Sequence, residues 1–329
     1  MNLISEKGMT GQSSTVEVSV VIPNRNGREL LGQFLIPSYE SLMQSGVALE
    51  FIVVDGASSD GSSEWLSSLN LPNLRCVSHE DPLGYGNQIN AGALLSRGEY
   101  ILVLTTDVLI EVGLLEALLC VLRTDRAVGF VVPKILRETE GGIIESITSG
   151  SLRKHEIRPS WKSDPLKSTK PCKVLWPCGA VFLCRKSVFQ ALGGFAPEYS
   201  PAYSEDLDLG IRAWLLGHAC VYEPNAVARH WHNSTTKKDG GRRLEFLLVR
   251  NHVVLNLKYL PGKSQLIFLG RRLFRALKNL NSLEISAIFA AINVYRKSSL
   301  GNLPGLTLAE IDNLLALSSS AKKEKLLKS

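Results

Sequence analysis

The sequence has no G-x-x-x-x-G-K-[ST] segment, and its one partial G-x-G-x-x-G breaks at Ile89, where the third glycine after Gly84 and Gly86 is required. A P-loop and a dinucleotide fingerprint are therefore excluded, and any bound phosphate must be neutralised by other means. The six cysteines, Cys76, Cys120, Cys172, Cys178, Cys184 and Cys220, never fall in C-x-x-C spacing. That excludes a zinc ribbon, fits a disulfide-stapled module poorly and favours a reducing compartment. No charge-free apolar run approaches the roughly 18 residues of a membrane span. Residues 1–16 lack the continuous apolar region of a signal peptide and are expected to be a disordered lead-in. The expectation is a cytoplasmic protein, soluble or peripheral on the inner face of the cytoplasmic membrane. Internal repeats and low-complexity tracts are also missing.

What is present is a globular composition, 45% hydrophobic and 21% charged over 329 residues, enough for one large or two modest domains. The formal charge of +6 hides a division. Residues 237–329 hold 17 Lys+Arg against 6 Asp+Glu, a net of +11, which leaves −5 for residues 1–236. In the basic part Leu266, Leu269, Leu273, Leu277 and Leu280 follow helical spacing while Arg271, Arg275 and Lys278 fall on another side. Two readings stand: a basic amphipathic helix on anionic lipid headgroups, or a helix packed on its own catalytic domain with a solvated basic face. No aromatic-interleaved basic pattern accompanies it, so nucleic acid is not the expected partner.

Residues 18–22, SVVI flanked by valine, end at the turn formers PNRNG (23–27); residues 49–54 end at DGASSDG (55–61). Helical patterns near 28–44, around Trp65, near 87–96 and near 111–123 alternate with further short apolar runs at 74–78, 100–104 and 128–132. Near-continuous apolar strands alternating with helices predict an α/β fold with a mostly parallel central sheet covered on both faces. Ligands of such sheets bind beyond the carboxyl ends of the strands. Asn24, Asn26, Asp55, Asp60, Thr106 and Asp107 all lie just past predicted strand ends and should converge there. Residues 137–172 break the pattern and read as a polar surface excursion; 174–184 read as one buried strand bent at Pro177, followed by a helix ending at Gly193 and Gly194. Residues 226–230 read as a last strand that delivers His230 to the same edge.

Glu205, Asp206 and Asp208 follow a Gly/Pro/Ser/Tyr-rich loop at the point where a helical pattern resumes. Carboxylates so close repel one another, so either the helix N-terminus favours them or something else does, a cation or a proton-donating substrate.

The order and spacing of VVIPNRN (20–26), VVDGASSDG (53–61), Gly84-Tyr85-Gly86 with Asn90 and Gly92, LTTD (104–107), GAVFL (179–183), GGF (193–195), EDLD (205–208), His230 with Ser234, and Arg250-Asn251 resemble a family 2 glycosyltransferase of the GT-A fold, nearest the bacterial rhamnosyltransferase-like branch. The resemblance spans roughly residues 18–260. It implies that residues 17–136 bind a nucleotide-diphospho-sugar donor, that 137–260 hold the acceptor and the catalytic base, and that 261–329 form a basic helical extension. Carried over position by position, Pro23, Asn26, Asp55, Gly84, Tyr85, Gly86, Asn90, Thr106 and Arg250 would contact the donor. Asp107 and His230 would hold a divalent cation, Mg or Mn, with Thr105 standing where the first acid of an Asp-x-Asp motif is expected. Asp206 would be the base of an inverting transfer with Glu205 beside it, and Asp208, Tyr203 and Trp231 would lie on the acceptor side. Trp176, Tyr199, Tyr203 and Trp231 are candidates for an apolar platform under sugar rings. The implied acceptor is a cell-envelope glycan or a polyprenyl-linked molecule; the lipid-facing reading of the basic C-terminal region would add a peripheral membrane contact. The missing first acid leaves a second reading open, a catalytically idle nucleotide-sugar or glycan-binding protein.

Overall fold

β-branched runs set the central strands. In a computed structural model, which describes residues 15–138, 143–161, 169–231, 241–297 and 306–317, β1 (Val18–Asn24), α1 (Arg28–Met43), β2 (Leu49–Gly56), α2 (Ser62–Ser68), β3 (Leu74–His79), α3 (Tyr85–Leu95) and β4 (Tyr100–Leu104) alternate as the composition predicts. The four strands pair in parallel in the order β3-β2-β1-β4. Every residue of β1, β2 and β4 is buried, as required of strands covered on both faces. Helix α3 lies directly on β1: a Cβ on Gly92 would stand 2.3 Å from a methyl of Val21, so a glycine is needed there.

The second half adds β5 (Val108–Ile110), α4 (Leu114–Thr124), β6 (Val128–Arg137), β7 (Ile143–Ile144), β8 (Thr148–Leu152), β9 (Ile157–Trp161), β10 (Cys172–Val174), β11 (Val181–Arg185), α5 (Lys186–Ala191), α6 (Glu205–Leu215) and β12 (Ala219–His230). The sheet continues as β4-β11-β6-β12-β10, with β11 antiparallel to both β4 and β6 and β12 parallel to β6. Two expectations need correction. The apolar run 174–184 is not one strand: β10 sits at the sheet edge and β11 in its centre, with the turn around Pro177 and Gly179 carrying the chain between them. Nor is 137–172 wholly a surface excursion, since β8 and β9 form a hairpin, Ile147 and Ile157 are buried, and the Thr148 hydroxyl donates to the Trp176 carbonyl at 2.8 Å. Gly141 and Gly142 lie outside the described residues.

Beyond the sheet, α7 (Gly241–Tyr259), α8 (Gly262–Lys278), α9 (Ser282–Lys297) and α10 (Leu308–Ala316) build a second core with α6 and β9, around Leu207, Val253, Leu257, Phe268 and Ile288. The stripe Leu266 to Leu280 is divided between the two readings: Leu269 and Leu273 are half-buried, whereas Leu266, Leu277 and Leu280 are exposed and Ser264, Phe268 and Ala276 point inward. Among the described residues no helix is long and apolar enough to cross a membrane.

Candidate active site

At the ends of β1 and β2, Asn24 and Asp55 are register partners, both about 1% exposed, and Asn24 donates to Asp55 at 2.7 Å. Asp55 also accepts from the Ser58 amide at 2.8 Å, which closes the loop after β2. Pro23 is buried within β1. Asn26 takes a left-handed φ of 52° and its amide oxygen accepts from the Ser59 amide at 2.8 Å, so this side chain braces one loop against the other. The Oδ1 of Asn24 is buried without a partner, an unused acceptor at the floor of the crevice.

A second cluster forms where β4, β7 and β12 end. The His230 Nε2 lies 3.3 Å from Asp107 Oδ2, and its Nδ1 lies 2.5 Å from Glu145, which in turn pairs with Arg137 at 3.1 Å. Burial opposes the charge on His230, but the two carboxylates outweigh it and lift its pKa to about 9. Burial also works against an ionised Asp107, and His230 overcomes it, so that carboxyl is held below its usual range. Glu145 had no sequence assignment; its only signal is an acid inside the β-branched run 143–147. Thr105 turns both its amide and its hydroxyl onto the Ala180 carbonyl, at 2.9 and 3.2 Å.

Among the described residues no group of three or more His, Cys, Asp or Glu side chains is placed to hold a metal. The donor set nevertheless fits a divalent cation that takes one carboxylate and one imidazole from the protein and completes its shell with water and substrate phosphate. Glu145 on Nδ1 would orient the imidazole if the opposite nitrogen took a cation.

The third cluster is the first turn of α6. Asp206 accepts from the Leu207 amide at 2.8 Å and the Gly179 amide at 3.3 Å. Burial exceeds what these neutral donors return, and the pKa rises to about 6. Glu205 is more deeply enclosed; burial, then the charges of Asp206 and Asp208, push it well above its ordinary value, and its Oε2 has no partner. It faces a small cleft lined by Gly86, Asn87, Ala196, Tyr199, Ser200 and Pro201. The Tyr85 hydroxyl donates to the Gly179 carbonyl at 2.5 Å, beneath both acids. Gly179 and Ala180 thus bring Asp206 to the residues flanking Asp107, and the half-buried Cys178 thiol, pushed up first by desolvation, feels both Glu145 and Asp206.

Asp208 is not on the acceptor side. It is fully buried, paired with Arg212 at 2.7 Å and Lys258 at 2.6 Å, and accepts from Tyr199 and Tyr259. Asn90 is likewise consumed: its amide donates to the Phe195 carbonyl and accepts from the Phe195 amide, both at 2.8 Å, which fastens α3 to the 193–195 turn. Trp176 and Tyr199 are buried and form no sugar platform.

The loop from Tyr199 to Ser204 is held from below. Asn251, wholly buried, donates to the carbonyls of Tyr199, Ala202 and Tyr203 at 2.7–2.9 Å, and Arg250 donates to that of Ser200. Tyr203 and Ser204 take left-handed φ values of 81° and 70°, costly for residues with a Cβ, immediately before the first turn of α6. Arg250 therefore spends its guanidinium on this loop and on Asn251. Gly84 packs against the same loop; a Cβ there would meet the Pro201 carbonyl at 2.6 Å. Thr106 is half-buried beside Gly27, and Trp231 stacks on Phe34 of α1 with centroids 4.6 Å apart while its amide donates to the Asp107 carbonyl. His232 and Ser234 lie outside the described residues.

A model of the family described as Glycosyl transferase family 2 matches residues 19–193. The N-acetylglucosaminyl-diphospho-decaprenol L-rhamnosyltransferase of Mycobacterium tuberculosis is 26% identical over 219 residues, covering 59% of this chain and 70% of that protein. The O-antigen chain rhamnosyltransferase WbaN of Salmonella anatum is 25% identical over 203 residues, covering 60% and 61%. Among solved structures, GalNAc-T7 with UDP, GalNAc and Mn2+ superposes with a TM-score of 0.61 at 16% identity, over 86% of this chain and 57% of that one. S. aureus TarS 1–349 in complex with UDP-GlcNAc gives 0.54 at 15% identity, over 85% and 81%. The fold is of the GT-A type, with a mixed, mostly parallel sheet and a C-terminal helical region. Since the matched span takes in just over half of its length, the chain belongs to glycosyl transferase family 2, and it is a glycosyltransferase.

Proposed function

We propose that the enzyme is an inverting, cation-assisted glycosyltransferase that moves a sugar from a nucleotide-diphospho-sugar to a hydroxyl of a cell-envelope glycan or lipid-linked acceptor. The observation that carries this reading is Asp206, a half-buried carboxyl with a pKa of about 6 on the strand-end edge that also holds Asp107 and His230. The acceptor oxygen forms its bond to the anomeric carbon as its proton passes to Asp206, and the bond from that carbon to the diphosphate breaks with its electron pair leaving on phosphate oxygen. A divalent cation, when held by Asp107 and His230, supplies positive charge for the departing diphosphate. Glu205, whose proton affinity is raised by burial and then by the neighbouring acids, faces the cleft beside Gly86 where a sugar hydroxyl would hydrogen-bond to it.

In this reading residues 17–136 present Asp55 and the unused Asn24 acceptor to the nucleoside, and residues 137–260 present the base to the acceptor. The two named rhamnosyltransferase relatives support a lipid-linked or glycan acceptor at a membrane surface. Nucleoside diphosphate release tests the reading, measured across a panel of nucleotide sugars with manganese and a polyprenyl-diphosphate acceptor. A product that keeps the anomeric configuration of the donor would reject inversion. Thr105, engaged with Ala180, favours one competing reading, an idle binding protein. That protein would bind donor nucleotide with or without manganese and release no diphosphate.

A further inference from the structure

Helix α8 turns Ser264, Phe268 and Ala276 into the second core and leaves its opposite side uncovered among the described residues. On that side Leu266, Phe274 and Leu277 recur at helical spacing and are 73%, 70% and 55% exposed; Leu280 follows just past the helix end at 89%. Apolar side chains so open and so aligned mark a surface made for contact, not a scatter of single exposed residues. The helix contains no acid. Lys263 opens it, and Arg271, Arg275 and Lys278 run along one margin of the apolar stripe, all exposed. Arg271 donates to the Lys154 carbonyl, a neutral partner that leaves its charge intact, and Arg275 stands 3.6 Å from Glu284.

An apolar stripe bordered by cations is the signature of a helix lying in the plane of an anionic membrane surface. A second copy of the chain is a poorer occupant, because a two-fold contact would bring one basic margin against the other. We propose that α8 docks the enzyme on an anionic leaflet, with Leu266, Phe274, Leu277 and Leu280 entering the interface and Lys263, Arg271, Arg275 and Lys278 meeting lipid phosphates. The proposal deepens the lipid-linked-acceptor reading and rests on it for the whereabouts of the substrate.

The test is co-sedimentation of the full chain with vesicles of phosphatidylcholine alone, or of phosphatidylcholine with phosphatidylglycerol, with donor and acceptor left out. The wild type is expected to pellet with the anionic vesicles and weakly with the neutral ones. Arg271→Glu with Lys278→Glu should lower the partition coefficient by roughly fivefold or more per cation. Leu266→Ser with Phe274→Ser should bring binding down to the neutral-vesicle level. All four positions are exposed, so the melting temperatures and transfer to a short water-soluble acceptor stay at wild-type values. Lack of wild-type binding to anionic vesicles, or equal binding by the variants, overturns the proposal. So does a dimer that dissociates on Phe274→Ser without any vesicle binding, which assigns the face to a second copy. The vesicles carry no substrate, so failure here leaves the transfer reading standing, and failure of transfer leaves the vesicle result standing.

Discussion

Asp206, half-buried, and Asp208, fully buried, stand two residues apart in the first turn of α6, and their surroundings drive them in opposite directions. Asp206 meets two backbone amides, and burial wins, lifting its pKa to about 6. Asp208 is buried more completely, yet Arg212, Lys258 and two tyrosine hydroxyls outweigh burial and hold it below its ordinary value. The number of cations nearby, not the number of acids, separates a carboxyl able to take a proton from one that serves as a structural anion.

The largest effect that would break this contrast is on turnover. Asp206→Asn should reduce the transfer rate by about 10²–10⁴-fold, read as nucleotide release, with the melting temperature held or raised because a buried charge with few partners has been removed. Asp208→Asn should do the reverse. It leaves Arg212 and Lys258 without their anion and should lower stability by about 3–5 kcal/mol in denaturant titration. Normal stability with lost turnover would place Asp208 at the chemistry after all.

The pH dependence sharpens the comparison further. Log kcat/KM should fall with unit slope below pH of about 6, as Asp206 protonates. Over pH 7 to 5 the fold should not weaken. Asp206, with its raised pKa, adds stability fully only below its unfolded value of 3.8 and loses it as the pH rises through about 6. The contribution of Asp208, whose pKa is depressed, is present above 3.8 and lost only as the pH falls through its lower folded value. The smallest expected effect is that of Glu205→Gln. Burial and the neighbouring acids favour the protonated carboxyl, which an amide resembles, so stability should change by less than about 1 kcal/mol, and a large destabilisation would show that Glu205 is ionised.

The alternation of strands and helices was legible because β1, β2 and β4 are buried on both faces and their composition records it. The reversal of β11 was not, since one continuous apolar run serves two strands in different places in the sheet. The positions of Asp55, Asp107 and His230 at or just past strand ends followed from the alternation of apolar runs and turn formers, whereas the assignment of Asp206 rested on the family resemblance. The fate of Asp208 was only half visible: Arg212 is one helical turn away, but Lys258 and Tyr259 lie some fifty residues along the chain. Glu145 is a single acid in the short run 143–147, too brief for any periodicity to show where it points, and the roles of Asn90 and Arg250 depend on carbonyls that a side-chain pattern does not encode.

The fastening of residues 199–203 by a single amide has a consequence for how this enzyme can be trimmed. The family match ends at residue 193, whereas Asp206, its left-handed approach and the asparagine that secures that approach all lie beyond it. A fragment ending near residue 240 would keep every strand of the sheet among the described residues and lose the peg that holds the loop before Asp206. The smallest working unit is therefore set by helix α7 and not by the sheet.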